Sequence, residues 1–227
     1  MASVLNLSNR LQEIVDLCPD GRIVADIGCD HGYVTAELIL EDKVNRVIAT
    51  EKSPECLNKA VLLASSINIL PFISFRQGDG FAPITKYDKL DYAIIAGMGG
   101  MEIIKILEKR PKKLFDFVLQ PMSNTLELRQ YLLTHKFKLV VDKIIKDDGK
   151  FYDLLYVTKG KDRMSDIELF FGRTNFTENY EVFYEYLSER LEQLEKFESM
   201  TGELSKRLQM ELMFVKEALS MFGNTQD

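Results

Sequence analysis

Up to Gly160 the spacing of apolar positions switches repeatedly between the period of a helix and that of a strand. Leu11, Ile14, Val15 and Leu17 recur at helical spacing, and Ser8 ahead of them suits an N-cap, so a helix is predicted over 8–17. Pro19-Asp20-Gly21 breaks the chain after it. Short apolar runs at 22–26, 46–50, 72–76, 90–96 and 114–119 read as strands. Helical spacing fills 33–40, 54–66, 101–109 and 125–136, with Pro54 placed for a first turn. Strands alternating with helices predict an α/β fold whose parallel sheet is covered on both faces.

The alternation then stops. Runs at 138–146 and 151–157 are both strand-like, and Asp147-Asp148-Gly149-Lys150 between them is a hairpin signal. With no helix to carry the chain back, these strands pair antiparallel and close a mostly parallel sheet at one edge. An ordinary dinucleotide-binding sheet is not built that way. Further on, Tyr180, Phe183, Tyr184, Leu187, Leu191, Leu194 and Phe197 recur every three or four residues. Leu204, Leu208, Leu212, Val215, Leu219 and Phe222 do the same, beyond a break at Thr201-Gly202. Two amphipathic helices joined by a short turn make an antiparallel pair. The expected division is a sheet domain over 1–159 and a helical hairpin over 160–227.

A net charge of −6 argues against nucleic acid, which needs basic surface, but the charge is unevenly spread. Residues 160–227 hold 8 basic and 14 acidic side chains, whereas 1–159 hold 21 of each. The neutral part has room for a local basic face. Lys105, Lys109, Arg110, Lys112 and Lys113 form one candidate, which a solvated helix end explains equally well. Cys18, Cys29 and Cys56 form no Cys-x-x-Cys pair, and His31 and His135 are the two histidines. Neither a disulfide framework nor a metal centre is expected, and a reducing cytoplasm fits. Met1 to Asn9 lacks the basic start and apolar stretch of a secretory signal. The most apolar segments, such as 92–101, fall far short of the roughly 20 residues a membrane span needs, so no membrane association is expected.

The sharpest motif is Ala25-Asp26-Ile27-Gly28-Cys29-Asp30-His31-Gly32, closing the first predicted strand. Its glycines let the backbone turn tightly and approach a ligand. A pyrophosphate site would have a glycine where Asp30 stands. An acid is unfavourable beside pyrophosphate but welcome beside the ammonium of an amino acid, and S-adenosylmethionine presents that group together with its sulfonium. Glu51, with Lys52 beside it, ends the second strand, where a carboxylate can accept both ribose hydroxyls. In Gly78-Asp79-Gly80, after the third, Asp79 can accept an adenine amino group. A solvated strand end for Glu51 and a plain Asp-Gly turn for Asp79 are the bland alternatives. Acids closing three consecutive strands at one sheet edge, where open α/β sheets bind ligands, are harder to explain so.

The fourth strand runs into Ala96-Gly97-Met98-Gly99-Gly100, a loop able to line a reacting centre closely. The acid- or asparagine-Pro-Pro-aromatic tetrad of many exocyclic-amine methylases is missing there, which points away from amino-group targets. Gln120-Pro121-Met122 after the fifth strand is a candidate target-base pocket, although a plain loop is equally compatible.

With Ser8-x-Arg10-Leu11, Leu128-Arg129 and Phe151-Tyr152 added in order, these motifs resemble the bacterial tRNA (adenine-N1)-methyltransferases of the TrmK type, which modify adenine at position 22. The likeness covers residues 5–157 in motifs and reaches the helical pair as architecture, a two-helix coiled coil in that family. Cys29, Gly32, Lys52 and Met122 depart from its usual pattern. The resemblance implies a Rossmann-like class I methyltransferase fold, S-adenosylmethionine as cofactor, tRNA as partner, no metal, and a monomer. It places cofactor contacts at Arg10, Asp26, Gly28, Asp30, His31, Gly32, Glu51, Lys52, Asp79, Gly80, Gly97 and Met98. Asp30, His31, Met98 and Gly99 fall at the reacting centre, and Gln120, Pro121, Lys105 and Arg110 on the RNA side. Arg10 can reach a cofactor carboxylate or an RNA phosphate, and His31 can bond the cofactor or merely organise its loop. In the acidic helical pair, Arg173, Arg190, Lys206 and Arg207 are candidates for bracing RNA. Two other uses stay open: methylation of a small molecule or protein, and a non-enzymatic binding module. The three strand-end acids argue against the last.

Overall fold

A computed structural model describes residues 5–223 of the chain. The first four residues of the segment read against a secretory signal, and the last four of the predicted helical domain, lie outside them. By compactness the described residues form two units, one reaching to 141 and resuming over 145–162, the other of 142–144 with the residues from 163 onward.

The first unit carries, in chain order, α1 (Asn9–Leu17), β1 (Gly21–Ile27), α2 (Tyr33–Leu40), β2 (Val44–Glu51), α3 (Pro54–Ser66), β3 (Ile73–Gln77), β4 (Tyr92–Met98), α4 (Gly100–Glu108), β5 (Phe117–Pro121), α5 (Thr125–Thr134), β6 (Phe137–Asp147) apart from its 142–144 stretch, and β7 (Lys150–Lys159). The sheet order is β3-β2-β1-β4-β5-β7-β6. β1 pairs parallel with β2 and β4, β2 with β3, and β4 with β5. β7 runs antiparallel to β5, with Leu119 opposite Leu155. The turn between β6 and β7 has positive φ at both Asp148 and Gly149, the mirror-image type whose twist suits a two-residue hairpin.

Why the strands sit where they do follows from their side chains. Val24, Ala25 and Ile27 in β1 and Ala93, Ile94 and Ile95 in β4 are fully buried, so both faces of the sheet centre are covered. Helix α2 is buried on nearly every side from Val34 to Ile39 and lies against α1 and β2. Ser8 caps α1 by accepting the Leu11 N–H, and Ser53 caps α3 by accepting that of Cys56, with Pro54 in the first turn as expected.

β4 and β5 each extend two residues beyond the predicted ends. A reading by apolar pattern halts at Gly97 and at Gln120-Pro121, but the backbones stay paired through a bulge, with Met98 opposite Pro121. The loop expected to line the reacting centre therefore starts inside the sheet.

The second unit contains α6 (Asp166–Phe171), a 3₁₀ segment Arg173–Phe176, α7 (Tyr180–Thr201) and α8 (Lys206–Gly223). α6 and the 3₁₀ segment were not expected from sequence. Six residues are too few to show a period, although Ser165 and Glu168 form a reciprocal capping box. Tyr180 meets Phe222 and Arg190 pairs with Glu211 through contacts of 2.6 and 3.0 Å, which makes α7 and α8 antiparallel, and Lys216 reaches Glu195. Gly202 ends α7 in the left-handed region, where the break was read. Arg173 and Arg190, candidates for bracing RNA, are committed to Glu168 and Glu211 within this unit.

In the same unit the 3₁₀ segment satisfies backbone donors of the 142–144 stretch. Thr174 Oγ1 accepts the Asp142 N–H and Asn175 Oδ1 accepts that of Ile144, while Asn179 donates to the Ile144 carbonyl.

Candidate active site

The cleft is built on the ends of β1, β2, β4 and β5. β1 delivers Asp26, which is 5% exposed and accepts a 2.6 Å hydrogen bond from the Thr35 hydroxyl. Burial, reinforced by the nearby Glu51 charge, raises its carboxyl pKa to about 6, against the pull of that hydrogen bond. The chain then turns through Gly28, at φ +74°, where a Cβ would run into the Met98 methyl. The N–H groups of Gly28 and Cys29 both bond the Thr50 carbonyl, which pins this turn to the end of β2. Asp30 follows in the left-handed region at φ +49°, a conformation that costs an aspartate less than most residues.

Glu51 does more than end β2. One of its oxygens accepts the Ser53 N–H at 2.8 Å and the other accepts that of Asp30 at 3.3 Å. The carboxylate expected to hold a ribose thus also fixes the turn bearing Asp30, while each oxygen keeps a further lone pair.

Asp30 contacts His31 Nδ1 at 2.7 Å, and His31 Nε2 lies 3.3 Å from the Lys59 ammonium. Partial burial opposes ionisation of Asp30, yet hydrogen bonds from His31 and Cys56 outweigh it and hold its carboxyl below the ordinary range. An ammonium facing Nε2 has that nitrogen accepting, which puts the ring proton on Nδ1 toward Asp30. Gly32, at φ +78°, begins α2 with its backbone so close to α3 that an added Cβ would lie 2.8 Å from that of Ala60.

On the far side of β1, Gln120 organises the wall. It is fully buried, and its Oε1 accepts both Arg10 Nη1 at 2.9 Å and the Gly97 N–H at 3.1 Å. Its Nε2 donates to the Pro121 carbonyl and to Met122 Sδ. Gln120 and Pro121, expected on the RNA side, are both buried, and the Gln120 amide serves the Gly97 N–H at the bulged end of β4. Met122, the next residue, is the one that opens to the cleft.

Two cavities result. The larger, about 360 Å³, is lined by Arg10, Asp26, Asp30, His31, Gly97 and Met122 among others. That volume falls in the range of roughly 300–1,000 Å³ usual for small-molecule sites. The smaller, about 60 Å³, is lined by Glu51, Lys52, Asp79, Gly80 and neighbours. Gly28 and Met98 line both, so the two adjoin there.

Lys105 and Arg110 line neither cavity. Lys105 is exposed on α4. Arg110 folds back, donating to the Leu107 and Leu114 carbonyls with its guanidinium over the rings of Phe115 and Phe137. Two of its nitrogens thus finish a helix end, and the half-exposed side chain lies away from both cavities. Gly99 N-caps α4 in extended backbone beside Ser123. Sequence reasoning missed Thr35, Lys59 and Tyr33. A threonine or tyrosine in the first turn after a glycine-rich loop is a usable signal, whereas nothing local ties Lys59 to a histidine 28 residues earlier.

A mostly parallel seven-stranded sheet with this acid-rimmed cleft at its strand ends defines a Rossmann-like methyltransferase. The family model for TrmK, tRNA (adenine(22)-N(1))-methyltransferase, matches residues 24–223, and the chain belongs to that family. The tRNA (adenine(22)-N(1))-methyltransferase of Bacillus subtilis is 35% identical over 159 residues, 69% of this chain; the matched part is 66% of that relative, just under two-thirds of its length. Among solved structures, Streptococcus pneumoniae Sp1610 in complex with S-adenosyl-L-methionine superposes with a TM-score of 0.85 at 29% identity, covering 94% of this chain and 99% of that one. The Bacillus subtilis M1A22 tRNA methyltransferase TrmK gives 0.82 at 28% identity, covering 95% and 99%.

Proposed function

We propose that this protein methylates N1 of adenine 22 in tRNA, with S-adenosylmethionine as the methyl donor. The observation that carries the reading is the set of acids at adjacent strand ends, with Asp26 in one cavity, Glu51 and Asp79 in the other, and Gly28 and Met98 between.

The residues present suit that cofactor. Asp26 is a buried carboxyl whose charge is fully balanced only when a cation arrives, and the amino acid end of the cofactor brings an ammonium. Glu51 keeps lone pairs for ribose hydroxyls, and exposed Asp79 lies beyond β3 where the adenine amino group fits. Arg10, held by Gln120 and lying over the Tyr152 ring, retains N–H groups for a carboxylate. When bound, the cofactor supplies a methyl group on a sulfonium, a strong electrophile.

N1 of adenine is already a free nucleophile, so no base has to remove a proton before attack. The protein's work is alignment, which is worth several kcal/mol of barrier. Methylation leaves the adenine ring positive, and the ionised, exposed Asp30 carboxylate favours that charge, with His31 and Lys59 fixing its orientation. Gly97 and Met98 form the wall where the two cavities join, and Gly97, with open space where a Cβ would stand, leaves room for the incoming base.

Residues 1–159 form the catalytic domain and 160–227 a coiled-coil hairpin that braces the RNA by shape, in a cytoplasmic monomer. The deciding experiment is incubation with labelled S-adenosylmethionine and unmodified tRNA, followed by mapping of the label. Label at N1 of adenine 22 is the expected result. Tight cofactor binding with no label in any RNA overturns the reading.

A further inference from the structure

The larger cavity has in its wall an aromatic ring, that of Tyr33, which the cofactor assignment leaves unused. α2 is buried from Val34 to Ile39, yet Tyr33 at its first position is 44% exposed and faces the cavity. Among the described residues lining that cavity, Tyr33 and His31 carry the aromatic rings. The two rings lie nearly parallel, 22° apart with centroids 6.3 Å from each other. Met122 lines the same cavity with a half-exposed thioether.

The His31 and Met122 side chains are bonded in place, and the backbone before Tyr33 is fixed. The backbone ahead of Tyr33 is fixed by Gly32, which is pressed against Ala60, and His31 is bonded on both nitrogens. The Met122 N–H bonds the Met98 carbonyl at 2.8 Å, and its sulfur accepts from Gln120. An aromatic face and a polarisable sulfur, both open to solvent and lining one cavity, suit a flat, electron-rich ring.

We propose that this wall of the cavity receives the target adenine, with Tyr33 as the residue on which the base stacks and Met122 as a second contact. The proposal rests on the function given above and adds to it the mode of base recognition. N1 lies on the pairing edge, so a base-paired adenine is either pulled out of its stack or presented already distorted, and a base that loses its stack needs a new partner for its faces. Stacking on an aromatic side chain supplies one. Tyr33 suits the chemistry as well as the shape. The ring becomes positively charged as N1 gains its methyl, and a tyrosine face attracts a cationic ring more strongly than a neutral one. The contact tightens along the reaction, which is what raises kcat rather than binding alone.

The test uses full-length protein, S-adenosylhomocysteine for cofactor affinity, and unmodified tRNA for kinetics. A second tRNA carries 2-aminopurine in place of the target adenine, since that base is quenched when stacked. Tyr33→Leu should lower kcat/KM for tRNA roughly 5- to 150-fold, the loss of one base–aromatic stack. It should lower kcat as well as raise KM, leave S-adenosylhomocysteine affinity within about twofold by the same reasoning, and brighten bound 2-aminopurine relative to wild type. Tyr33→Phe should recover most of what Tyr33→Leu loses. Transfer by Tyr33→Leu within about twofold of wild type, less than the loss of any measurable stack, overturns the proposal. So does a parallel loss of S-adenosylhomocysteine binding in a folded Tyr33→Leu protein, which would make the ring a cofactor contact. Wild-type protein that methylates no RNA defeats the parent reading and this one together, and the unsubstituted chain already reveals that failure.

Discussion

Around the cleft, polar groups are taken out of water deliberately: Asp26 beneath Thr35, and Gln120 dividing its amide among Arg10, Gly97, Pro121 and Met122. In the second unit the interior of the helical pair is Phe183, Leu187, Leu194 and Val215, and the charged pair Lys216–Glu195 sits toward solvent. The cleft accepts left-handed backbone at Asp30 and between β-strand and helix at Gly28 and Gly32, whereas α7 and α8 depart from regular helix only at their ends. Ligand binding is made by overdetermining a few buried polar atoms, and such a region tolerates little substitution. A helical hairpin held by apolar packing tolerates a great deal.

That contrast can be broken most forcefully at Asp26. Asp26→Asn keeps the shape but removes the charge meant for an ammonium, and should weaken S-adenosylhomocysteine binding by about 1.5–3 kcal/mol, the worth of a charge-assisted hydrogen bond. Calorimetry on the folded variant measures it, and unchanged affinity would remove Asp26 from the site. Next comes Gln120→Leu, which preserves volume but strands the Gly97 N–H and one arm of Arg10. Urea unfolding should register a loss of about 1–3 kcal/mol. A neutral result would mean that water replaces the amide at little cost.

The third expectation concerns pH. Because burial raises the Asp26 carboxyl to about 6, the free site is largely protonated below that value and charged above it. An ammonium-bearing ligand binds the charged form, so affinity should rise with pH through about 6 and fall roughly tenfold per unit beneath it. A flat profile between pH 5 and 7.5 in a titration series would contradict this. The smallest effect belongs to the helical pair. Lys216→Met should shift the unfolding free energy by only about 0.2–1 kcal/mol, as exposed ion pairs such as Lys216–Glu195 do. A loss as large as that of Gln120→Leu would erase the contrast between the two regions.

Much of the architecture was legible because it is repetitive. α2 and α3 run over the spans that their apolar spacing predicts, and the hairpin follows from Asp148-Gly149. The strand-end acids could be read because a carboxylate closing an apolar run has few structural reasons to be there. What stayed hidden was tertiary. The fate of Gln120 depends on a bulge in a neighbouring strand, that of Arg110 on two phenylalanines 5 and 27 positions further along the chain, and that of His31 on a lysine from another helix. None of these partners is announced by local pattern. α6 escaped for a plainer reason, since six residues do not complete two turns.

The side-chain oxygens of Thr174 and Asn175 have a consequence for life at high concentration. Bare amide hydrogens along a terminal strand invite the extended segment of any passing chain, which is how sheets grow into fibrils. Here two such hydrogens, on Asp142 and Ile144, are already spoken for by side-chain oxygens. Along that short stretch an incoming strand finds no amide left to pair with.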